Sequence, residues 1–199
     1  MQKLKSILML ALWLTSGSLL AQVGQQSVDA KEATILDVER ERHTLQILAN
    51  LAEKVIVSAA DARPTDKYGF APTDGEFKDV RTFGQMVKHL SATNSILAAA
   101  ALGEEPAADA GDELGPEAVR TKGEILNYLK GSFAYLDKAI EAIGQKSTSV
   151  KSSPISLLKN TEATRMALVM ESLVHAFDRY GQMVEYLRTN GVVPPASWP

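Results

Sequence analysis

The chain holds three histidines, His43, His89 and His175, and no cysteine. Imidazole can move a proton or ligate a metal near neutral pH, so these are the first residues to place. Around His175 the polar residues recur at helical spacing: Glu171, His175, Arg179 and Gln182. At about 100° per residue they share one face of a helix. Arg179 contributes a permanent cation that offers only donors. His89 has Gln85 one helical turn before it. A stripe of this kind is either a site or the wet side of a helix. Periodicity favours the wet side, because Met166, Met170, Leu173, Phe177, Tyr180, Val184 and Leu187 form an apolar stripe nearly opposite. Against it, Leu168 and Tyr186 fall on the polar side, where a solvated face does not need them. His43 adjoins the run Glu39-Arg40-Glu41-Arg42 and reads as an exposed surface residue.

Several chemistries are excluded or unsupported. Without cysteine there are no disulfides, thiolate nucleophiles or Cys-ligated zinc. A formal net charge of −3 gives no basic footprint for nucleic acid. No glycine-rich phosphate loop follows a strand, and no nucleophile-elbow pattern is present. Met166, Met170 and Met183 read as flexible packing rather than as copper ligands.

Four amphipathic helices would have to position the polar residues. At 199 residues and 45% apolar content the chain can build one domain with a real core. Residues 1–21 look like a secretory signal: Lys3 and Lys5, an apolar run from Ile7 to Leu14, then Leu19-Leu20-Ala21 before a cut. That reading makes the protein exported, periplasmic or secreted, with no stable membrane span once the signal is removed. Residues 22–33 form a polar lead-in, and 34–199 the domain. The first helix is predicted from about Lys31 to Ala60, with Val38, Leu45, Leu48, Leu51, Ala52 and Val55 inward. Asp61 to Arg81 is a Pro- and Gly-containing loop packed down by Tyr68, Phe70 and Phe77. Thr82 caps a second helix, Phe83 to Leu102, whose core stripe is Phe83, Met86, Val87, Leu90, Leu97 and Ala101. Gly103 to Gly115 is an acidic linker. Pro116 suits the first turn of a third helix running to Ile143, with Leu126, Leu129, Phe133, Leu136 and Ile140 as its seam. Ser153-Pro154 begins a short helical entry to the long last helix, which Gly191 and Pro194-Pro195 terminate. No alternating strand is evident. The fold class is all-α, a four-helix bundle with long crossover connections after the first and second helices.

Three pieces of this chain, in order, resemble the DinB-like superfamily of four-helix-bundle proteins. Tyr68-Gly69-Phe70-Ala71-Pro72 resembles that family's Tyr-x-Phe-x-Pro loop. Arg81-Thr82-Phe83-Gly84-Gln85-Met86-Val87-Lys88-His89-Leu90 resembles the segment where a Phe-Gly pair precedes a ligand histidine. His175-Ala176-Phe177-Asp178-Arg179-Tyr180-Gly181-Gln182, followed by Tyr186-Leu187-Arg188 and Gly191-Val192-Val193-Pro194-Pro195, resembles its C-terminal motif. The resemblance covers roughly Thr34 to the end.

The resemblance implies a divalent-metal site, zinc or nickel, made by one histidine of the second helix and two of the last at i, i+4. His89 and His175 match the first two positions, and Arg179 stands at the third. It also implies metal-dependent hydrolase or thiol S-transferase chemistry, in which the ion activates a water or a thiol. Arginine has no lone pair to replace an imidazole ligand and repels a bound cation. Glu171, Asp178 or His43 would have to complete the donor set. The alternative is a non-catalytic small-ligand-binding or interaction module. In it, Arg179 with His89, His175, Gln182, Gln85 and Glu171 forms a cationic, hydrogen-bonding pocket for a carboxylate or phosphate. If the polar face turns inward, the Met166–Leu187 stripe becomes available for other packing, such as a homodimer.

Overall fold

The computed structural model describes the backbone of residues 2–72, 79–107, 113–145, 147–159 and 161–197, and side chains within those spans from residue 31 to 196. The chain divides into two units, residues 1–41 and 42–199. Helix α1 spans Gln2–Ala62. It therefore begins well before the expected Lys31, and the polar lead-in is helical too. The signal-like residues 1–21 lie outside those whose side chains are described. No helix among the described residues is long and apolar enough to cross a membrane.

In the second unit the end of α1 joins three further helices, α2 (Phe83–Leu102), α3 (Lys122–Glu141) and α4 (Arg165–Thr189). The bundle is centred on α2, sixteen of whose twenty residues are buried, so it is covered on every side. It begins where expected. Thr82 Oγ1 accepts from Gln85 N while Gln85 Oε1 accepts from Thr82 N, a reciprocal capping box. Alanines 98–101 are buried, and their small side chains let neighbouring backbones come close. The inward face of α1 is likewise small: Leu45, Ala49, Ala52, Ile56, Ala59 and Ala60 are buried, whereas Leu48 and Leu51, expected inside, are exposed.

Helix α3 starts six residues after Pro116, which instead opens a turn closed by Val119 N on Pro116 O. Its true start is the capping box of Thr121 and Glu124. The backbone donors of Arg120 and Thr121 hold the exposed Glu124 carboxyl below its usual range. The seam of Leu129, Phe133, Leu136 and Ile140 is buried as expected.

Two short strands, β1 (Ser149–Lys151) and β2 (Glu162–Thr164), pair antiparallel with Val150 opposite Ala163. No strand was expected there, and three polar-flanked residues carry too little alternation to signal one. The segment after Ser153-Pro154 forms turns rather than a helical entry. Thr164 ends β2 and caps α4 by accepting from Ala167 N. The buried Arg165 then ties the start of α4 down, donating through Nε to Ser147 O at 2.5 Å and through Nη1 to Ala101 O at the end of α2.

The loop between α1 and α2 is packed against the bundle by its aromatics. Tyr68 Oη donates to Ala60 O at 2.7 Å, and its ring meets Phe83 edge-on at 5.3 Å. Phe70 meets Tyr186 edge-on at 6.1 Å. Phe77 lies outside the described residues. Gly84 is required by this packing: a Cβ there would sit 3.2 Å from Tyr68 Cδ1 and 3.4 Å from Tyr68 O.

The buried face of α4 is not the predicted stripe. Leu168, Val169, Ser172, Leu173, Ala176, Met183, Tyr186 and Leu187 are buried, while Met170 is exposed and Met166, Phe177, Tyr180 and Val184 are half-buried. The face is rotated toward the polar stripe, because Leu168 and Tyr186 point into the core. The helix stops at Gly191, whose φ of +72° is a left-handed conformation suited to glycine. Val192 N then donates back to Leu187 O at 3.0 Å.

Candidate functional site: a cleft between α2 and α4

The rotation of α4 brings its histidine inward. Helices α2 and α4 run antiparallel, and cross-contacts fix their register: His89 with His175, Asn94 with Ser172, Ala101 with Arg165. Between them and the turns at 153–159 lies a cleft of about 720 Å³. Its α2 wall is His89, Thr93 and Leu97, at successive turns. Its α4 wall includes Met170, Glu171, Val174, His175 and Arg179.

The histidines meet edge to face, with ring centroids 5.0 Å apart and Nε2 atoms 3.2 Å apart. Hydrogen-bond partners settle where the protons are. His89 Nδ1 is 2.8 Å from the carbonyl oxygen of Glu113, an acceptor, so Nδ1 carries the proton and Nε2 a lone pair. Arg179 Nε donates to His175 Nε2 at 3.1 Å, so that nitrogen is unprotonated and Nδ1 holds the hydrogen. Two lone pairs therefore converge between the rings, and only the Arg179 donor relieves them among the described groups. Burial pushes the His175 imidazole down to about 3, with the Arg179, His89 and Arg81 charges acting in the same direction. Burial also lowers His89, opposed by the Glu113 carbonyl and reinforced by Arg81 and Arg179. Both rings are neutral at pH 7.

Three further polar atoms near this end are buried without a partner among the described groups: His175 Nδ1, Thr93 Oγ1 and Arg81 Nε. All three are donors. Buried donors are ordinarily satisfied, and unsatisfied ones call for an explanation. Among the described residues, the carboxylates paired at the charged end are the exposed Asp178, 3.5 Å from Arg179 Nη1, and the exposed side chain of Glu113, 3.7 Å from His89 Nδ1.

The remaining candidate residues separate from this core. Glu171 lines the cleft but uses both oxygens on the adjacent turn, accepting from Ser156 Oγ at 2.5 Å and Leu157 N at 2.6 Å. Gln182 donates to Asp178 Oδ2 at 3.1 Å and does not line the cleft. Gln85 is exposed, and its side chain is spent on the α2 cap. His43 is exposed on α1 and takes no part. Among the described residues no three His, Asp or Glu side chains are grouped to hold one ion.

Sequence reading missed three contributors. Glu113, in the acidic linker, orients His89 through its backbone, which no side-chain pattern reports. Arg81 stands inside the Phe-Gly segment, but its charge reaches the site only through folding. Thr93 is one turn after His89 and could have been found by extending that face of α2.

The helical bundle thus sets a histidine of α2 against a histidine of α4 across a cleft. The chain belongs to the DinB superfamily, whose model matches residues 43–184. No curated protein matches the chain.

Proposed function

We propose that this is an exported member of the superfamily that binds a small anionic molecule at the Arg179 end of the cleft. The observation that carries the reading is the 3.1 Å contact of Arg179 Nε with His175 Nε2. A guanidinium stands where a third donor would be required, and its N–H occupies the lone pair that a metal would need. The donors otherwise on hand are two imidazoles. Structural and catalytic zinc sites use at least three protein ligands, so this set does not fit a resident ion. Arg179 and Arg81 supply charge, His175 Nδ1–H is a donor without a partner among the described groups, and the Glu171 carboxylate that lines the cleft is spent on Ser156 and Leu157.

A second reading, a metal-dependent hydrolase or thiol S-transferase, is favoured by one distance. Two zinc–nitrogen bonds of about 2.0–2.1 Å meeting near the tetrahedral angle separate their nitrogens by about 3.4 Å, close to the 3.2 Å between the Nε2 atoms. One experiment divides the readings. Metal content is measured on the purified full chain and on Arg179→His, each incubated with zinc or nickel and then desalted. The anion reading expects metal to be retained only by Arg179→His, and expects acetate binding, followed by NMR, to be insensitive to chelator. Stoichiometric zinc or nickel in the unaltered chain would overturn it. Export through residues 1–21 is tested by N-terminal sequencing of the protein recovered from its native host: a start near Gln22 supports it, and a start at Met1 contradicts it.

A further inference from the structure

The cleft changes character along its length. Antiparallel packing places Arg179 beside His89 at one end, and Met170 and Ala167 beside Leu97 at the other. From His89 to Leu97 the α2 wall rises about 12 Å, at 1.5 Å per residue. Among the described groups, His175 Nδ1 and Arg81 Nε are donors without partners toward the first end. Thr93, itself only 7% exposed, brings its unpaired hydroxyl to the middle. The far end and the outer rim carry Leu97, Ile155, Leu158, Met170, Val174 and Leu157, with the Glu171 carboxylate beside them spent on the 156–157 turn.

The rim is also uncovered. Leu157 is 89% exposed, Val174 68% and Met170 50%, although all three line the same cleft. Leu157 is not there by accident of a loose turn, because Glu171 fixes the turn through Ser156 Oγ and Leu157 N. Three large apolar side chains are held open beside a cationic pocket, uncovered by the described residues.

We infer that the ligand is an amphiphilic monocarboxylate, its head group on Arg179 and Thr93 and its alkyl or aryl tail along Leu97, Met170, Val174 and Leu157. The inference rests on the anion-binding reading above and names the class of anion. Charge decides the head group. With its Nε given to His175 and its Nη1 3.5 Å from the exposed Asp178 carboxylate, the single guanidinium has its Nη2 side left to donate to one carboxylate head group. Shape and polarity decide the tail, since the wall continuing from that edge has no further donors beyond Thr93.

The test is a titration of the full chain with acetate, butanoate, hexanoate and octanoate, with octylammonium as the charge-reversed probe. Each methylene carried into the cleft is expected to tighten binding about fourfold, the value of burying one such group. Octylammonium is expected not to bind. Arg179→Gln is expected to weaken octanoate tenfold or more while leaving the step per methylene in place. The near-isosteric pair Met170→Gln with Val174→Thr, both on the exposed rim, is expected to flatten that step and leave acetate unchanged. Circular dichroism confirms that the variants fold. A flat chain-length series with acetate binding intact overturns the amphiphile and leaves the anion reading standing. No binding of any carboxylate overturns both. Octylammonium binding as tightly as octanoate, or a stable dimer that covers the rim and admits no octanoate, also overturns the inference.

Discussion

Two arginines near α4, Arg63 and Arg179, are treated in opposite ways by the fold. Arg63 is fully buried at the end of α1, and every nitrogen of its guanidinium has an acceptor. Nε and Nη2 donate to Lys67 O at 3.1 and 3.0 Å, and Nη1 donates to Tyr186 O at 2.6 Å. Its guanidinium carbon lies 5.2 Å from the ring centroids of both Phe70 and Phe83. Burial lowers its proton affinity without threatening its charge. About two helical turns back along α4, Arg179 is only half-buried, donates its Nε to a neutral imidazole and has one exposed carboxylate nearby. The first arrangement is closed: nothing is left for a ligand to satisfy. The second is open, with donors at His175 and Arg81, and at Thr93 farther along the cleft, that have no partner among the described groups. A completed network holds a structure together, whereas an incomplete one is where a binding partner is expected.

The largest effect should come from breaking the closed network. Arg63→Ala removes a buried cation, three hydrogen bonds and two ring contacts, and leaves Lys67 O with Phe70 N and Tyr186 O with Asn190 Nδ2 as their remaining donors. Hydrogen bonds made by a charged group contribute about 1.5–3 kcal/mol each, so the variant should lose on the order of 3 kcal/mol. Chemical unfolding of the variant should show that loss directly. Arg63→Lys should recover only part of it, since an ammonium cannot span both carbonyls and lie flat against two rings. If Arg63→Ala costs less than about 1 kcal/mol, the distinction between the two arginines collapses.

The next effect belongs to the open end and has a pH signature. Unfolded, the His175 imidazole takes up a proton near 6.5, but folded only near 3. Between those values the unfolded chain binds more protons. Stability is therefore complete above about pH 6.5 and declines as the pH falls toward 3, with a slope of up to about 1.4 kcal/mol per pH unit from this group. His89 adds to the slope in the same direction, because its proton affinity is lowered too. Carboxylates elsewhere contribute their own slope in acid, so the informative quantity is the difference from His175→Asn. That variant should lose less stability between pH 6.5 and 4.5 than the unaltered chain. Equal slopes would mean that His175 can be protonated in place and that the cationic surroundings of the site are weak.

The contrast between the two ends also explains what could be read from the residues. The closed end was legible in outline: Tyr68 and Phe70 stood out as anchors because aromatics in a polar loop have few other uses. Arg63 did not stand out, since its acceptors are carbonyls contributed by chain folding. Helix α2 was legible to the residue because its cap and its core stripe agree. Helix α3 was misplaced by trusting Pro116 over the Thr121-x-x-Glu124 pattern, a two-sided signal with more physical content. The face of α4 was misjudged for a different reason. The apolar stripe from Met166 to Leu187 was expected to be inside, and its Met170 is instead exposed on the rim of a cleft. Tertiary packing instead buried small and mixed residues such as Ser172 and Ala176. Of the side chains that make α4 look amphipathic in the wrong direction, Met170 is left uncovered beside the polar site. Ordinary burial rules fail where the fold keeps a surface open.

The smallest effect should separate the two arginines most cleanly. Arg179→Gln removes a cation that suppresses protonation of His175 and His89, and it retains a donor for the converging lone pairs. At pH 7, where both rings are neutral in the folded and largely neutral in the unfolded chain, stability should hardly change, within about 0.5 kcal/mol for a side chain outside the core. At pH 5 the variant should be the more stable of the two, because the imidazoles gain protons at less cost once the guanidinium is gone. The acid-side slope should shrink without vanishing, since burial, the larger cause, persists. Urea unfolding at the two pH values checks both parts of this. A loss of several kcal/mol at pH 7 would make Arg179 a structural residue like Arg63, and the cleft would then have to be read as packing that happens to be open. Unchanged stability with a reduced slope would instead mark Arg179 as a charge the fold tolerates but does not use, which is how a residue kept for a ligand behaves.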